Sequence, residues 1–162
     1  MAKFSIESTR GKVKDIQGNI DSKKTELNNL EQRKQEIMEA HNDIDSNSKM
    51  DEHAQQVVFE SLAQERQRIS EKAEGLSKEL DSDASMLEEM GQEVDDSTSD
   101  TESERKKLEQ LKSTLDPIGL GASLEGGLSE MDDSLTSLQD LRTSITEASR
   151  EVRNLQTQLG NL

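Results

Sequence analysis

The chain has no cysteine, tryptophan or tyrosine, two phenylalanines, one proline, and no apolar run longer than Val57-Val58-Phe59. Without cysteine there is no disulfide framework, no thiolate metal ligand and no thiol nucleophile. With so few aromatics and 29% apolar residues, a globular core built from large side chains is excluded, because there is too little bulk to fill it. Thin seams between two or three helices need much less. No stretch approaches the length of a membrane-spanning helix, and no apolar segment follows Met1, so a Sec-type signal is not expected. The compartment stays open: cytoplasmic, or exported by a route that does not read such a signal.

Basic charge is also scarce. There are 20 Lys and Arg against 35 Asp and Glu, a net charge of −15 over 162 residues. Nucleic acid is therefore not an expected partner, since binding it needs clustered cations to neutralise phosphates. Anionic membrane surfaces are disfavoured for the same reason. The charge keeps an exposed helix soluble.

What the chain does have is a seven-residue apolar rhythm. Ile6, Val13, Ile20 and Leu27 form one row; Ile16, Leu30, Ile37 and Ile44 form a second. Phe59, Ala73, Leu80, Leu87 and Val94 repeat the pattern beside Leu62, Ile69, Leu76 and Met90, and Met131, Leu138, Ile145, Val152 and Leu159 repeat it again. A 3.5-residue period marks helices that pack along a narrow seam. It also separates this chain from a disordered one, although 34% of its residues are charged.

The rhythm predicts three helices in one elongated domain, 1–162. The first spans about 5–44. Lys23, Lys34 and His41 interrupt its seam, where lone polar residues cost stability but can fix register. Gly11 and Gly18 lie seven apart on its other face, either tolerated there or marking a groove for another helix backbone. The polar stretch 45–51 reads as a helix–helix turn, with Ser48 or Asp51 capping the second helix. That helix spans about 51–115. The segment 95–104 contains no apolar residue, and two readings stand. One is a continuous helix, favoured because Val94, Leu108 and Leu115 keep the frame. The other is a loop over 95–100, with a new start at the capping-box pattern Ser99-x-x-Glu102. Pro117 ends the helix. The loop 116–127 holds four glycines and the aliphatics Ile118, Leu120 and Leu124, which are expected to fold back over the end of the bundle. The third helix spans about 128–162, and its stripe is widened by Leu141, Ala148, Leu155 and Leu162. Such a stripe fits a helix that touches two neighbours or one that meets a second chain. At 1.5 Å per residue the three helices come to about 60, 95 and 50 Å. The fold class is thus all-α, an elongated antiparallel helical hairpin or three-helix coiled-coil bundle; a parallel dimer through one seam is the alternative. Ending on Leu162 without a polar tail fits a fragment of a longer protein.

Sites for chemistry are sparse. Asp43-x-Asp45-x-Asn47-x-Lys49-x-Asp51 resembles the start of a calcium loop, but Ser48 stands where the sharp turn needs Gly and Ala54 where a bidentate Glu is needed. Asp81-Ser-Asp83-Ala-Ser85 fails similarly inside a helical repeat. His41 and His53 flank the turn and could approach each other, yet two histidines without a third ligand make a poor metal site; a pH-sensitive pair is the other reading. There is no nucleophile–base arrangement, and the glycine-rich loop lacks the strand and Lys-Ser/Thr of a P-loop. No enzyme activity, cofactor, metal or small-molecule substrate is expected.

The loop carries Leu124-Glu125-Gly126 between two long helices. In this the chain resembles the WXG100 and LXG helical proteins of type VII secretion, whose inter-helix turn holds an aromatic-or-leucine, any residue, glycine motif. The resemblance implies a helical hairpin that pairs with other helical chains in a secretion system. The chain departs from the WXG100 pattern in lacking Trp and the C-terminal Tyr-x-x-x-Asp/Glu export signal. Export by this chain alone is then in doubt, which would matter less for a partner or targeting domain.

The function expected is a non-enzymatic helical protein–protein interaction module, an adaptor or targeting partner. The alternative is a coiled-coil scaffold forming a homodimeric stalk in a surface or phage assembly. The partner is a protein, either another helix or a second copy. The residues expected to carry contact are Leu124, Gly126, Leu128, Met131, Leu135, Leu138, Leu141, Ile145, Val152, Leu155 and Leu159.

Overall fold

The computed structural model describes residues 4–46 and 49–162; Ser48, one candidate cap, and Asn47 of the calcium-like stretch lie outside them. The protein is all-α, with no strand among the described residues. The order is α1 (Ile6–Asp45), α2 (Glu52–Leu115), two 3₁₀ turns at Asp116–Ile118 and Gly121–Leu124, and α3 (Glu125–Gly160). None of these helices is long and apolar enough to cross a membrane.

The helix ends follow local chemistry. Ser5 precedes α1, and its Oγ accepts a hydrogen bond from the Ser8 N–H at 3.3 Å, satisfying one of the donors that a helix start leaves unpaired. Asp51 stands immediately before α2, and its carbonyl accepts the Gln55 N–H at 2.9 Å. Pro117 lies two residues beyond the end of α2, inside the first 3₁₀ turn.

Through the apolar-free stretch, α2 is uninterrupted. Its small polar side chains bond back to the helix instead of competing with it. Thr98 Oγ1 donates to the Val94 carbonyl and Thr101 Oγ1 to that of Ser97, both at 2.8 Å. Gln92 Nε2 donates to Asp96 Oδ1 one turn on, at 3.0 Å.

The chain divides into two compact units. Unit 1 takes α1 up to Gln17 and residues Ser85–Arg150. Its buried side chains are Thr9, Val13 and Ile16 of α1, Leu87, Met90 and Val94 of α2, and Leu138, Leu141, Ile145 and Ala148 of α3. Within it α2 and α3 run antiparallel. Asp95 faces Arg142 at 3.2 Å, Arg105 faces Asp132, and Lys112 faces Glu125 at 3.6 Å, so each step up α2 is matched by an equal step down α3.

Unit 2 takes Gly18–Ala84 and Glu151–Leu162. Its buried residues are Ile20, Leu27, Leu30 and Ile37 of α1, Ile69, Leu76, Leu80 and Asp83 of α2, and Val152 and Leu155 of α3. Here α1 and α2 are antiparallel. Lys23 pairs with Asp83, Arg33 with Glu65, and the His41 ring stacks on Phe59 with centroids 4.5 Å apart. Near the turn, Gln55 Nε2 donates to the Ile44 carbonyl at 3.4 Å. On the α3 side, Gln156 Nε2 donates to Asp81 Oδ1 at 2.8 Å.

Three sequence expectations change. Among the described residues no helix of this chain approaches Gly11 or Gly18, and a Cβ at either would meet open space, so no intramolecular helix fills a groove there. His41 takes Phe59 as its ring partner rather than His53, because the antiparallel hairpin sets Phe59 beside it. And α3 begins at Glu125, three residues earlier than expected, because the 3₁₀ turn at Gly121–Leu124 feeds directly into it and carries Gly126 and Gly127 into the first helical turn.

Candidate interaction surface

The tip that joins α2 to α3 lies wholly within unit 1 and is built by glycine. After Leu115 the chain makes a 3₁₀ turn. Gly119 then takes φ 81°, ψ 13°, a left-handed conformation that side chains disfavour. The Gly119 N–H donates to the Asp116 carbonyl at 3.0 Å, and the left-handed step brings the Leu120 N–H to the Leu115 carbonyl at 3.1 Å, pairing the last carbonyl of α2 and the first of the 3₁₀ turn. Gly121 is buried against Asp116; a Cβ there would overlap the Asp116 carboxylate and crowd its Cα at 3.2 Å. Ser123 Oγ donates to the Leu120 carbonyl at 2.8 Å and closes the second turn.

The consequence is a correction. The loop aliphatics do not fold over the bundle end. Ile118 is 67% and Leu120 55% exposed; only Leu124 is half-buried. The left-handed step at Gly119 satisfies the backbone while holding its two neighbours in solvent. Leu111, one helical turn before the half-buried Leu115, is 47% exposed. Large aliphatics held out on a hydrogen-bonded turn are the feature of this surface that burial within the chain does not explain.

Charged pairs brace the helices behind the tip. Arg105 hydrogen-bonds Asp132 across the helices and Glu109 one turn along α2. These two bonds, Asp132 first, raise the Arg105 pKa above the ordinary arginine value. Lys112 and Glu125 flank the turn itself.

The residues expected to carry contact divide differently from the expectation. Leu138, Leu141, Ile145, Val152 and Leu155 are 1–4% exposed, buried within their own units. This part of the α3 stripe is therefore covered by the chain itself. Leu124, Leu128, Met131, Leu135 and Leu159 are half-buried, and Gly126 is exposed. Leu124-Glu125-Gly126 straddles the boundary between the second 3₁₀ turn and α3. Among the described residues no three His, Cys, Asp or Glu side chains gather as a metal site. Asp43 and Asp45 are in the last turn of α1.

The aliphatic loop was among the sequence's bets for interaction, but Ile118 and Leu120 were expected to fold over the bundle end rather than face water, and Leu111 was not singled out. A signal was present: Ile118-Gly119-Leu120-Gly121 alternates aliphatic and glycine directly after Pro117. A left-handed step at Gly119 breaks the regular turn between Ile118 and Leu120, so the two need not share an inward face. No family model, no curated protein and no solved structure matches this chain.

Proposed function

We propose that this protein is a non-enzymatic helical adaptor that docks on another protein through the tip between α2 and α3. The observation that carries the reading is the exposure of Ile118 and Leu120 on a turn held by the Leu120–Leu115 and Gly119–Asp116 backbone bonds. A preorganised apolar tip loses little conformational freedom on binding, which favours association. Its natural complement is the apolar stripe of a helix in a second protein. The seams that would have served a homodimeric stalk through α3 are occupied inside the chain, so the adaptor reading is preferred.

The setting follows from the resemblance to type VII secretion proteins: the chain acts there as a partner or targeting module. It is tested by expressing the tagged chain in a Gram-positive host with and without that machinery. Appearance outside the cell only when the machinery is intact supports the setting; cellular retention in both removes it.

The docking surface is tested by quantitative capture from cells that make the protein, using the parent chain, an Ile118→Ser/Leu120→Ser variant, and a Met38→Ser/Val57→Ser control that alters exposed apolar residues elsewhere. A protein retained by parent and control but lost from the tip variant supports the reading. Equal retention by all three overturns the tip as the docking face.

A further inference from the structure

We propose that Lys23 and Asp83 form a pairing-selectivity device, which locks α1 on α2 in one register and rejects the heptad-shifted alternatives that the rest of the seam permits. This does not depend on the docking function of the tip. Lys23 sits in the row Ile16, Leu30, Ile37, Ile44, and Asp83 in the row Leu62, Ile69, Leu76, Met90, each the charged member of an otherwise apolar repeat. The structure brings the two interruptions together. Lys23 Nζ hydrogen-bonds Asp83 Oδ2, with side-chain exposures of 11% and 6%. The neighbouring carboxylate, Asp81, is on another side of α2 and takes Gln156 of α3 as its partner.

The selectivity follows from the repeat. Sliding α1 by seven residues replaces one branched aliphatic by another along most of both rows, and such exchanges discriminate poorly. At the Lys23–Asp83 position the slide moves Lys23 off Asp83 and onto a seam aliphatic such as Leu76, leaving both charges buried and unpaired; the other interruptions of the α1 seam, Lys34 and His41, are only half-buried and discriminate less. A second copy or a foreign helix that offered an apolar residue at the position would be rejected for the same reason. Buried ion pairs seldom stabilise more than well-packed apolar residues would, so stability alone does not account for this pair.

The test compares three chains: the parent, Lys23→Leu/Asp83→Leu, and the exchanged Lys23→Asp/Asp83→Lys. Each is measured by amide nuclear magnetic resonance spectra, by light scattering over a range of concentrations, and by thermal melting. The apolar pair is expected to match or exceed the parent in melting midpoint, yet to show more than one set of amide signals or a concentration-dependent mass. The exchanged pair is expected to return a single set of signals and the parent mass. A single set of signals and an unchanged mass in the apolar variant overturn the proposal. So does loss of its helicity, which would make the pair a stabilising contact. Heterogeneity in the exchanged variant equal to that of the apolar one also overturns it.

Discussion

Arg142 of α3 lies across Gly91 of α2: a methyl group at Gly91 would overlap the guanidinium, which reaches on to Asp95 at 3.2 Å. Gly91 is buried although α2 gains nothing from its backbone freedom. The missing side chain makes a slot through which Arg142 crosses. The overlapping atoms are the far end of a flexible side chain, and the ion pair is half-exposed and therefore contributes little. Gly91→Ala is expected to displace the guanidinium and gain about 1 kcal/mol of helix propensity. Urea unfolding should show a neutral or slightly stabilising change. A clear loss of stability would mean that the α2 and α3 backbones must separate to admit the methyl group.

Glycines elsewhere should respond with opposite signs. A Cβ at Gly75 meets nothing within 4 Å, and its backbone is helical. Gly75→Ala is expected to raise stability by about 0.5–1 kcal/mol. Gly121→Ala drives a Cβ into Asp116, including its backbone, and Gly119→Ala strains a residue at φ 81°. Both should lower the melting midpoint, with circular dichroism separating the two classes.

Removing one member of the buried pair differs from replacing both. Asp83→Ala leaves the Lys23 ammonium enclosed without its carboxylate, and is expected to cost roughly 3–5 kcal/mol in chemical denaturation. Arg33→Ala should be nearly silent, because its side chain is half exposed, and Arg105→Ala nearly so, because its partners Glu109 and Asp132 lie about half in solvent. Hydrogen bonds to Glu36 and then Glu65 raise the Arg33 pKa, as those to Asp132 and Glu109 raise that of Arg105. A raised pKa on a cation gives a contribution present below the unfolded-state value and lost only as pH rises through the folded one. Both arginines are held above the ordinary arginine range, far from neutrality, so their titration leaves stability flat through neutral pH. Added salt, in contrast, should weaken the pairs.

The buried stripe of α3 and the exposed tip can be told apart by the same substitution logic. Leu138→Asp or Ile145→Asp places an unpaired charge at a side chain only 1% exposed, and should abolish cooperative unfolding. Ile118→Ser and Leu120→Ser remove apolar surface that already faces water, and should change stability by less than about 0.5 kcal/mol. A large drop for either tip variant would show that these side chains pack in solution.

The helices and their approximate ends were legible because the polar turn before Asp51, Pro117 and the apolar period act within a few residues of one another. An unbroken frame favoured a continuous helix through 95–104 over a loop; the Thr98 and Thr101 back-bonds found there were not legible. Reading the candidate surface went less well. A wide stripe on α3 reads the same whether an intramolecular helix or another chain covers it, so the stripe suggested a partner where the chain covers its own residues.

The sequence by itself determined that the protein is helical and that its apolar residues lie on narrow faces; that its longest helix runs unbroken through 95–104 was one of two readings, and the structure chose it. The first two outcomes follow from local propensity and periodicity. Only the tertiary structure decided which seams close on each other, that Lys23 meets Asp83, that Arg142 passes over Gly91, and that Ile118 and Leu120 face water. The reason is physical: a heptad specifies a face and not the helix that covers it, and the direction of two aliphatics beside a glycine depends on a single positive φ.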